Sequence, residues 1–277
     1  MKILVIFGSK SDAKIYEPLQ ECLRKDGHEI DFRMISVHRS PELMDKEISS
    51  MKKIDAVIAG AGLAAHLPGV MASKLLIPIL GIPCSAAIGG VDALFSMLQM
   101  PFGIPVLSTA VDQYESAVDF LKHWENIDLR YSSEVFTIVM DKKLRKSSHG
   151  VLLLERASKI AEKNKFDLNL VETPVEACVN ICALEIEGKN PEAALPFPSL
   201  GKKAKELRIF VPVLNDDDYR NAMSAIAVIK RIQSVEAGIW TGVNNIGNAM
   251  LAALQLANAS GSYSAFLTNA KKGYIHA

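Results

Sequence analysis

Hydrophobic residues occur along this chain in short runs separated by polar, glycine- and proline-punctuated turns. In the first half the runs Lys2–Phe7, Glu29–Ile35, Ile54–Ile58, Leu76–Gly81 and Val106–Ala110 have the length and bounding residues of buried strands. Segments of helical character lie between them. One follows Ser11 and stops at Gly27; Pro18 either places its regular start near Glu17 or kinks it. Leu43–Met51 starts behind Pro41 and Glu42, in the manner of a helix N-terminus. A third runs to about Ser73, and Val91–Gln99 and Gln113–Trp124 follow. Strict alternation of strand and helix predicts an α/β domain with a doubly wound parallel sheet.

The second half reads as a worn copy of the first. Thr109-Ala110-Val111 with Ser116-Ala117 lines up with Thr241-Gly242-Val243 and Asn248-Ala249, each ahead of a last helix. Val135–Met140 repeats the first strand, Phe166–Val171 the second and Leu207–Leu214 the fourth, and Ala222–Gln233 repeats the helix Val91–Gln99. This predicts two domains in tandem, residues 1–130 and 131–277, the second degenerate.

The 277 residues, 49% hydrophobic and 22% charged, are sufficient for two domains with real cores. Lys+Arg and Asp+Glu are both 31, so no overall charge points to nucleic acid or to an acidic membrane. No apolar run is long enough to span a bilayer, and the chain opens directly on a strand rather than on a signal peptide, which makes the cytoplasm the expected compartment. The four cysteines fit reduced thiols there. Cys178 and Cys182, four apart, are expected on one helix face as packing residues rather than metal ligands.

The ends of the first three strands carry the chemistry. Gly8-Ser9-Lys10-Ser11-Asp12 joins a glycine and two hydroxyls to a helix start, an arrangement for binding an anion. Asp12 either caps that helix or accepts hydrogen bonds from sugar hydroxyls. Ser36-Val37-His38-Arg39 offers a hydroxyl, a planar guanidinium and, between them, an imidazole, whose ordinary titration range spans neutrality. Ala59–Val70, AGAGLAAHLPGV, reads as a nearly bare strand-to-helix turn in which Gly60, Gly62 and four alanines let a ligand approach the main chain, with His66 in its middle. Open parallel sheets bind ligands at such carboxyl ends.

GSKSD (Gly8–Asp12), SVHRSP (Ser36–Pro41), AGAGLAAHLPG (Ala59–Gly69) and GGVDALFSMLQMPFGIPV (Gly89–Val106) resemble, in order, the motifs of PurE-type N5-carboxyaminoimidazole ribonucleotide mutases. The resemblance covers roughly residues 1–125. It implies a flavodoxin-like, three-layer fold for both domains and a carboxylate moved from the exocyclic nitrogen to C4 of an aminoimidazole ribonucleotide, without cofactor or metal. His38 matches the family's proton-shuttling histidine. By the same motifs Ser9, Ser36 and Arg39 are expected to hold the 5′-phosphate, Asp12 the ribose hydroxyls, and Gly60, Ala61, Gly62, His66 and Leu67 to line the base and carboxylate, with Gly8 and Ser11 of the anion-binding turn as further substrate-binding residues; for His66 a structural hydrogen bond is an equal expectation. Arg39 favours the mutase over relatives that carboxylate with CO2 directly and carry Lys there. Val37 departs from the family's usual Ala and Leu63 from a smaller or less branched residue, and both are expected either to narrow the pocket or to shift a loop. Two other readings stay open: a CO2-using carboxylase of this or another nucleotide, and a non-catalytic nucleotide-binding scaffold.

In the second half the motifs are gone. Asp141-Lys142-Lys143-Leu144 and Glu172-Thr173-Pro174-Val175 stand where Gly8–Asp12 and Ser36–Arg39 stood, and Lys189–Gly201 is expected as an irregular loop. Ser147-Ser148-His149-Gly150 is expected to start a helix, and Asn244, Asn245 and Asn248 to cap the last one. Family members of single length form octamers, so the resemblance implies a homo-oligomer of four two-domain chains acting on a small ribonucleotide, with no nucleic-acid or membrane partner.

Overall fold

The computed structural model describes residues 1–51, 53–127, 129, 134–186, 191–201 and 204–272. The expected junction at 130/131, the start of the Lys189–Gly201 loop and the last five residues lie outside the described residues.

Strands β1 (Lys2–Phe7), β2 (Glu29–Met34), β3 (Ala56–Ala61), β4 (Ile79–Pro83) and β5 (Leu107–Ser108) form one parallel sheet in the order β2-β1-β3-β4-β5. That is the flavodoxin-like order, with its switch point between β1 and β3. The connecting helices are α1 (Ala13–Lys25), α2 (Pro41–Ser50), α3 (Leu67–Lys74), α4 (Val91–Leu98) and α5 (Tyr114–Glu125). A second sheet, order β7-β6-β8-β9, uses β6 (Val135–Val139), β7 (Asp167–Val171), β8 (Val179–Glu185) and β9 (Leu207–Val213), with helices α6 (Lys142–Lys146), α7 (Ser148–Lys163), α8 (Asp216–Tyr219), α9 (Ser224–Ser234), α10 (Ile246–Ala257) and α11 (Ser264–Lys272). The two α/β domains thus share the order of their first four strands.

Several local expectations change. The first helix starts at Ala13 and contains Pro18, rather than starting near Glu17. An apolar face of Ile15, Tyr16, Leu19 and Leu23 packs against the sheet and outweighs the one backbone hydrogen bond that Pro18 cannot donate. Ala59, Gly60 and Ala61 belong to β3 rather than to a turn, and β4 starts three residues later and ends two later than its apolar run suggests. Gly60 is a packing glycine: a Cβ there would sit 2.0 Å from the Phe7 ring. Cys178 and Cys182 are not on a helix; Cys182 is a buried residue of β8, and Cys178 immediately precedes that strand. All four cysteines are free thiols.

The domains meet edge to edge. Ser108 of β5 exchanges two main-chain hydrogen bonds of 2.8 Å with Trp240, antiparallel, while Ile239 and Thr241 bond to Phe210 of β9. Trp240 is fully buried and its ring lies 4.9 Å from that of Phe210. The next turns are built alike: Asp112 (φ 60°) and Asn244 (φ 55°) both donate their N–H to a strand-end proline, Pro83 and Pro212 respectively. Each side chain then accepts from a main-chain N–H just past the preceding strand, Ser85 N at 2.7 Å, two residues beyond β4, and Leu214 N at 2.9 Å, one residue beyond β9. Asn245 caps α10 and also bonds to Met100 O, and Ser147 caps α7.

Two further contacts bind second-half helices to first-half loops. Asn248, 2% exposed, accepts from Gly103 N at 3.0 Å and donates to the carbonyls of Pro101 and Met100 at 3.0 and 3.3 Å. Lys271 of α11 donates from Nζ to the carbonyls of Ala72 and Leu75 at the C-terminal end of α3, and burial pushes its ammonium down to about 8. Among the described residues no helix is long and apolar enough to cross a membrane. Replacing Asn248 with Ala strands the buried Gly103 N–H, while Met100 O keeps Asn245 and Pro101 O keeps Ile104 N; at about 1–3 kcal/mol for a buried group left unsatisfied, the variant is expected to lose that much stability in urea unfolding.

Candidate functional site

A cavity of about 440 Å³ lies beyond the carboxyl ends of β1 to β4, astride the switch point. Its volume is in the range of small-molecule sites. Gly8, Ser9, Ser11 and Asp12 line it from the first turn, Ser36, Val37, His38 and Arg39 from the second, Ala61–Ala64, His66 and Leu67 from the third, and Ser85 and Ala86 from the fourth. Every predicted site residue except Gly60 is therefore brought to one place. Gly60 is withheld because its strand position turns it onto Phe7.

The first turn is pre-formed by its own hydroxyls. Ser9, in extended conformation, accepts from Ser11 N at 3.2 Å and lies 2.8 Å from Ser11 Oγ, which also reaches Asp12 Oδ1 at 3.1 Å. Asp12 is 7% exposed. Burial raises its carboxyl above the ordinary range; the Ser11 hydrogen bond and Lys14 oppose this, and the charge of Asp112 adds to it.

In the second and third turns two exposed histidines meet. His38 Nε2 is 2.7 Å from His66 Nδ1, with the rings nearly perpendicular at 86°. A nitrogen-to-nitrogen hydrogen bond holds one proton between two imidazoles, so the tautomer of one ring dictates that of the other. The loop presenting His66 is bent sharply: Leu63 and Ala64 take φ of 28° and 45°, which side chains other than glycine's rarely adopt. Asp92 holds this bend by accepting from Ala64 N at 3.3 Å. Val37 and Leu63, expected to narrow the cavity, both line it, and Leu63 is 59% exposed at its rim.

Sequence reasoning missed a neighbouring network. Lys14 Nζ donates to Ser85 Oγ at 2.9 Å and lies 3.4 Å from Asp112 Oδ2, while Ser85 N donates to Asp112 Oδ1 at 2.7 Å. Burial pushes the Asp112 carboxyl up, but the Ser85 hydrogen bonds and Lys14 outweigh it and leave it below the ordinary value. Lys14 stands two residues past Asp12 at the start of α1, and that spacing was the available signal. Among the described residues no group of three or more His, Cys, Asp or Glu is placed to hold a metal.

At the matching strand ends of the second sheet, ion pairs cross instead, Lys142 with Glu172 at 3.3 Å and Lys143 with Glu185 at 3.4 Å, and His149 Nε2 lies within hydrogen-bond distance of Glu185 at 3.2 Å.

The pH behaviour of Asp12 is testable in the free protein. Its pKa is higher folded than unfolded, so it favours folding while protonated, and that contribution is lost as pH rises through the folded value. Asp12→Asn should therefore gain stability on the wild type between acid and neutral pH in thermal melts.

Residues 2–120 match the family model described as AIR carboxylase. An N5-carboxyaminoimidazole ribonucleotide mutase of Methanocaldococcus jannaschii is 48% identical over 115 residues, covering 42% of this chain and 73% of the relative. Mutases of the same name from Saccharolobus solfataricus and Vibrio vulnificus are 40% and 41% identical over 119 and 120 residues, covering 42% of this chain and 75% and 74% of theirs. With four motif-bearing turns converging on one cavity and relatives of this identity covered over most of their length, the chain belongs to the AIR carboxylase family.

Proposed function

We propose that the first domain, residues 1–130, is an N5-carboxyaminoimidazole ribonucleotide mutase of purine synthesis, forming 4-carboxy-5-aminoimidazole ribonucleotide. The observation that carries this reading is the convergence of the turns of β1 to β4 on one cavity with the His38–His66 pair at its wall. Ser9, Ser36 and Arg39 bind the 5′-phosphate, Arg39 through its planar fork. Asp12 accepts from the ribose hydroxyls; a buried carboxylate with its pKa raised is a strong acceptor once a ligand satisfies it. The bare backbone from Ala61 to Ala64 lies against the base and carboxylate.

In the reaction the N5–carboxyl bond of the carbamate breaks, giving CO2 and the ring amine. C4 then attacks the trapped CO2 and a C–C bond forms. His38 gives a proton to N5 as the carbamate bond breaks and takes back the proton that C4 gives up once the C–C bond has formed, so the ring ends with its carboxylate moved and no net proton change. His66 positions that imidazole and fixes its tautomer through the 2.7 Å contact. The alanines, glycine and leucines of the third turn leave few polar groups of their own beside the reacting carbons, which favours holding CO2 there until C4 attacks it.

Direct assay of the carbamate, without ATP or bicarbonate, tests the activity: turnover supports the mutase, and turnover solely with added bicarbonate supports the carboxylase instead. His38→Asn should lower kcat by about 10²–10⁴-fold with little change in substrate affinity. Unchanged turnover would remove His38 from the mechanism.

The second domain, residues 131–277, we read as a degenerate copy. Its strand order and its Asn244 turn repeat the first domain, and ion pairs stand where the site turns would be. Its role is scaffolding in a cytoplasmic homo-oligomer of four chains, equivalent to eight domains. Light scattering is expected to give a tetramer; a stable monomer at working concentration would sink this arrangement.

A further inference from the structure

The second domain has a cavity of its own, of about 410 Å³, well away from the strand ends just described. It opens beside the amino-terminal end of β9, between the segment 192–200 and the residues that follow α9. Phe197, Phe210, Leu195 and Val235 give it apolar walls.

Two buried arginines face it, and they differ. Arg208 is compensated: Glu206 accepts from its Nε at 2.7 Å, Pro198 O accepts from a terminal nitrogen, and Phe197 lies under the guanidinium, 4.9 Å from ring centroid to Cζ. Arg231, in the last turn of α9, is 5% exposed and has no carboxylate partner among the described residues. One terminal nitrogen donates to Ala193 O, and its Nε is buried with no hydrogen-bond partner. Glu192 and Glu236 also line the cavity, but both are exposed and neither is within ion-pair distance of Arg231.

A guanidinium that is 5% exposed, with a single carbonyl as its partner and its Nε buried and unpaired, is costly, and proteins rarely leave one so. A loop anchor would serve as well with a neutral donor. What the arrangement lacks is an anion with two oxygens, the shape a guanidinium fork matches.

We infer that this cavity is a second ligand site, in which Arg231 pairs with the oxyanion of a small organic acid, a carboxylate or a phosphate ester, while an apolar body lies against Phe197 and Leu195. The site is independent of the reading of the first-domain cavity. It shares no residue with that cavity and sits on a domain for which no catalysis is claimed. Burial also lowers the pKa of Arg231, in keeping with a charge that is unbalanced while the site is free.

Isothermal titration of the full chain with benzoate and phenyl phosphate as probes, and benzyl alcohol as the neutral control, tests this. Saturable binding of at least one anionic probe is expected, with none of the alcohol. Arg231→Met should weaken it by about tenfold or more while leaving the melting temperature equal or higher, because a buried unpaired charge has been replaced by an apolar side chain. Ser199→Trp, at an exposed lining position, should block the mouth and abolish binding with Arg231 intact. Arg39→Ala, in the other cavity, should leave it unchanged. Binding that survives both Arg231→Met and Ser199→Trp, binding lost in Arg39→Ala alone, equal affinity for benzyl alcohol, or no binding of either anion would overturn the proposal.

Discussion

Two hydrogen bonds between Ser108 and Trp240 set the form of this molecule. The segments that make them are too short to be stable alone, yet together they cover one edge of each sheet, at β5 and at β9, and leave β2 and β7 as the outer edges. The two five-element runs, β2-β1-β3-β4-β5 and β7-β6-β8-β9 with the Trp240 segment, become one hydrogen-bonded surface that changes direction at its centre. Burying Trp240 completely against Phe210 makes the joint an apolar core as well as a ladder. The loops at the carboxyl ends then inherit fixed positions: Asp112, one turn beyond Ser108, is held where it can order Ser85 and Lys14 beside the cavity.

The cavity in turn depends on how little side chain the central strand carries. Gly60 lets the Phe7 ring lie flat on β3, and Gly62 lets the turn pass Cys84 and Ala86 at contact distance. Bulk at either place would push the third turn away from the first, and with it His66 from His38.

The parallel alternation, the order of turns and nearly all of the cavity lining were legible in the sequence, because buried parallel strands are plain apolar runs and the turns carry distinctive side chains. The misplacements have physical causes. Glycine and alanine are common to bare turns and to crowded strands, so Ala59–Ala61 did not declare itself as β3. Cys178 and Cys182 share a face at helical spacing and at strand spacing alike, and the apolar run of β8 does not distinguish the two. Pro18 marked a break that the packing of Leu19 and Leu23 overrode. Lys14, Asp92 and Asp112 were not legible as a group because their partners lie 71, 28 and 27 residues away. The Ser108–Trp240 pair, spanning the domains, belongs to the same class.

The clasp of Lys271 on the end of α3 has a bearing on how the protein is made. Residues emerge from the ribosome in order, so the first sheet and its turns are available for folding while more than half of the chain is still unsynthesised. The carbonyls of Ala72 and Leu75 nevertheless wait for an ammonium group that is carried by α11 of the second domain. The helix whose start carries His66 therefore acquires this polar partner only after nearly two hundred further residues have been made, which ties the finished form of one domain to the arrival of the other.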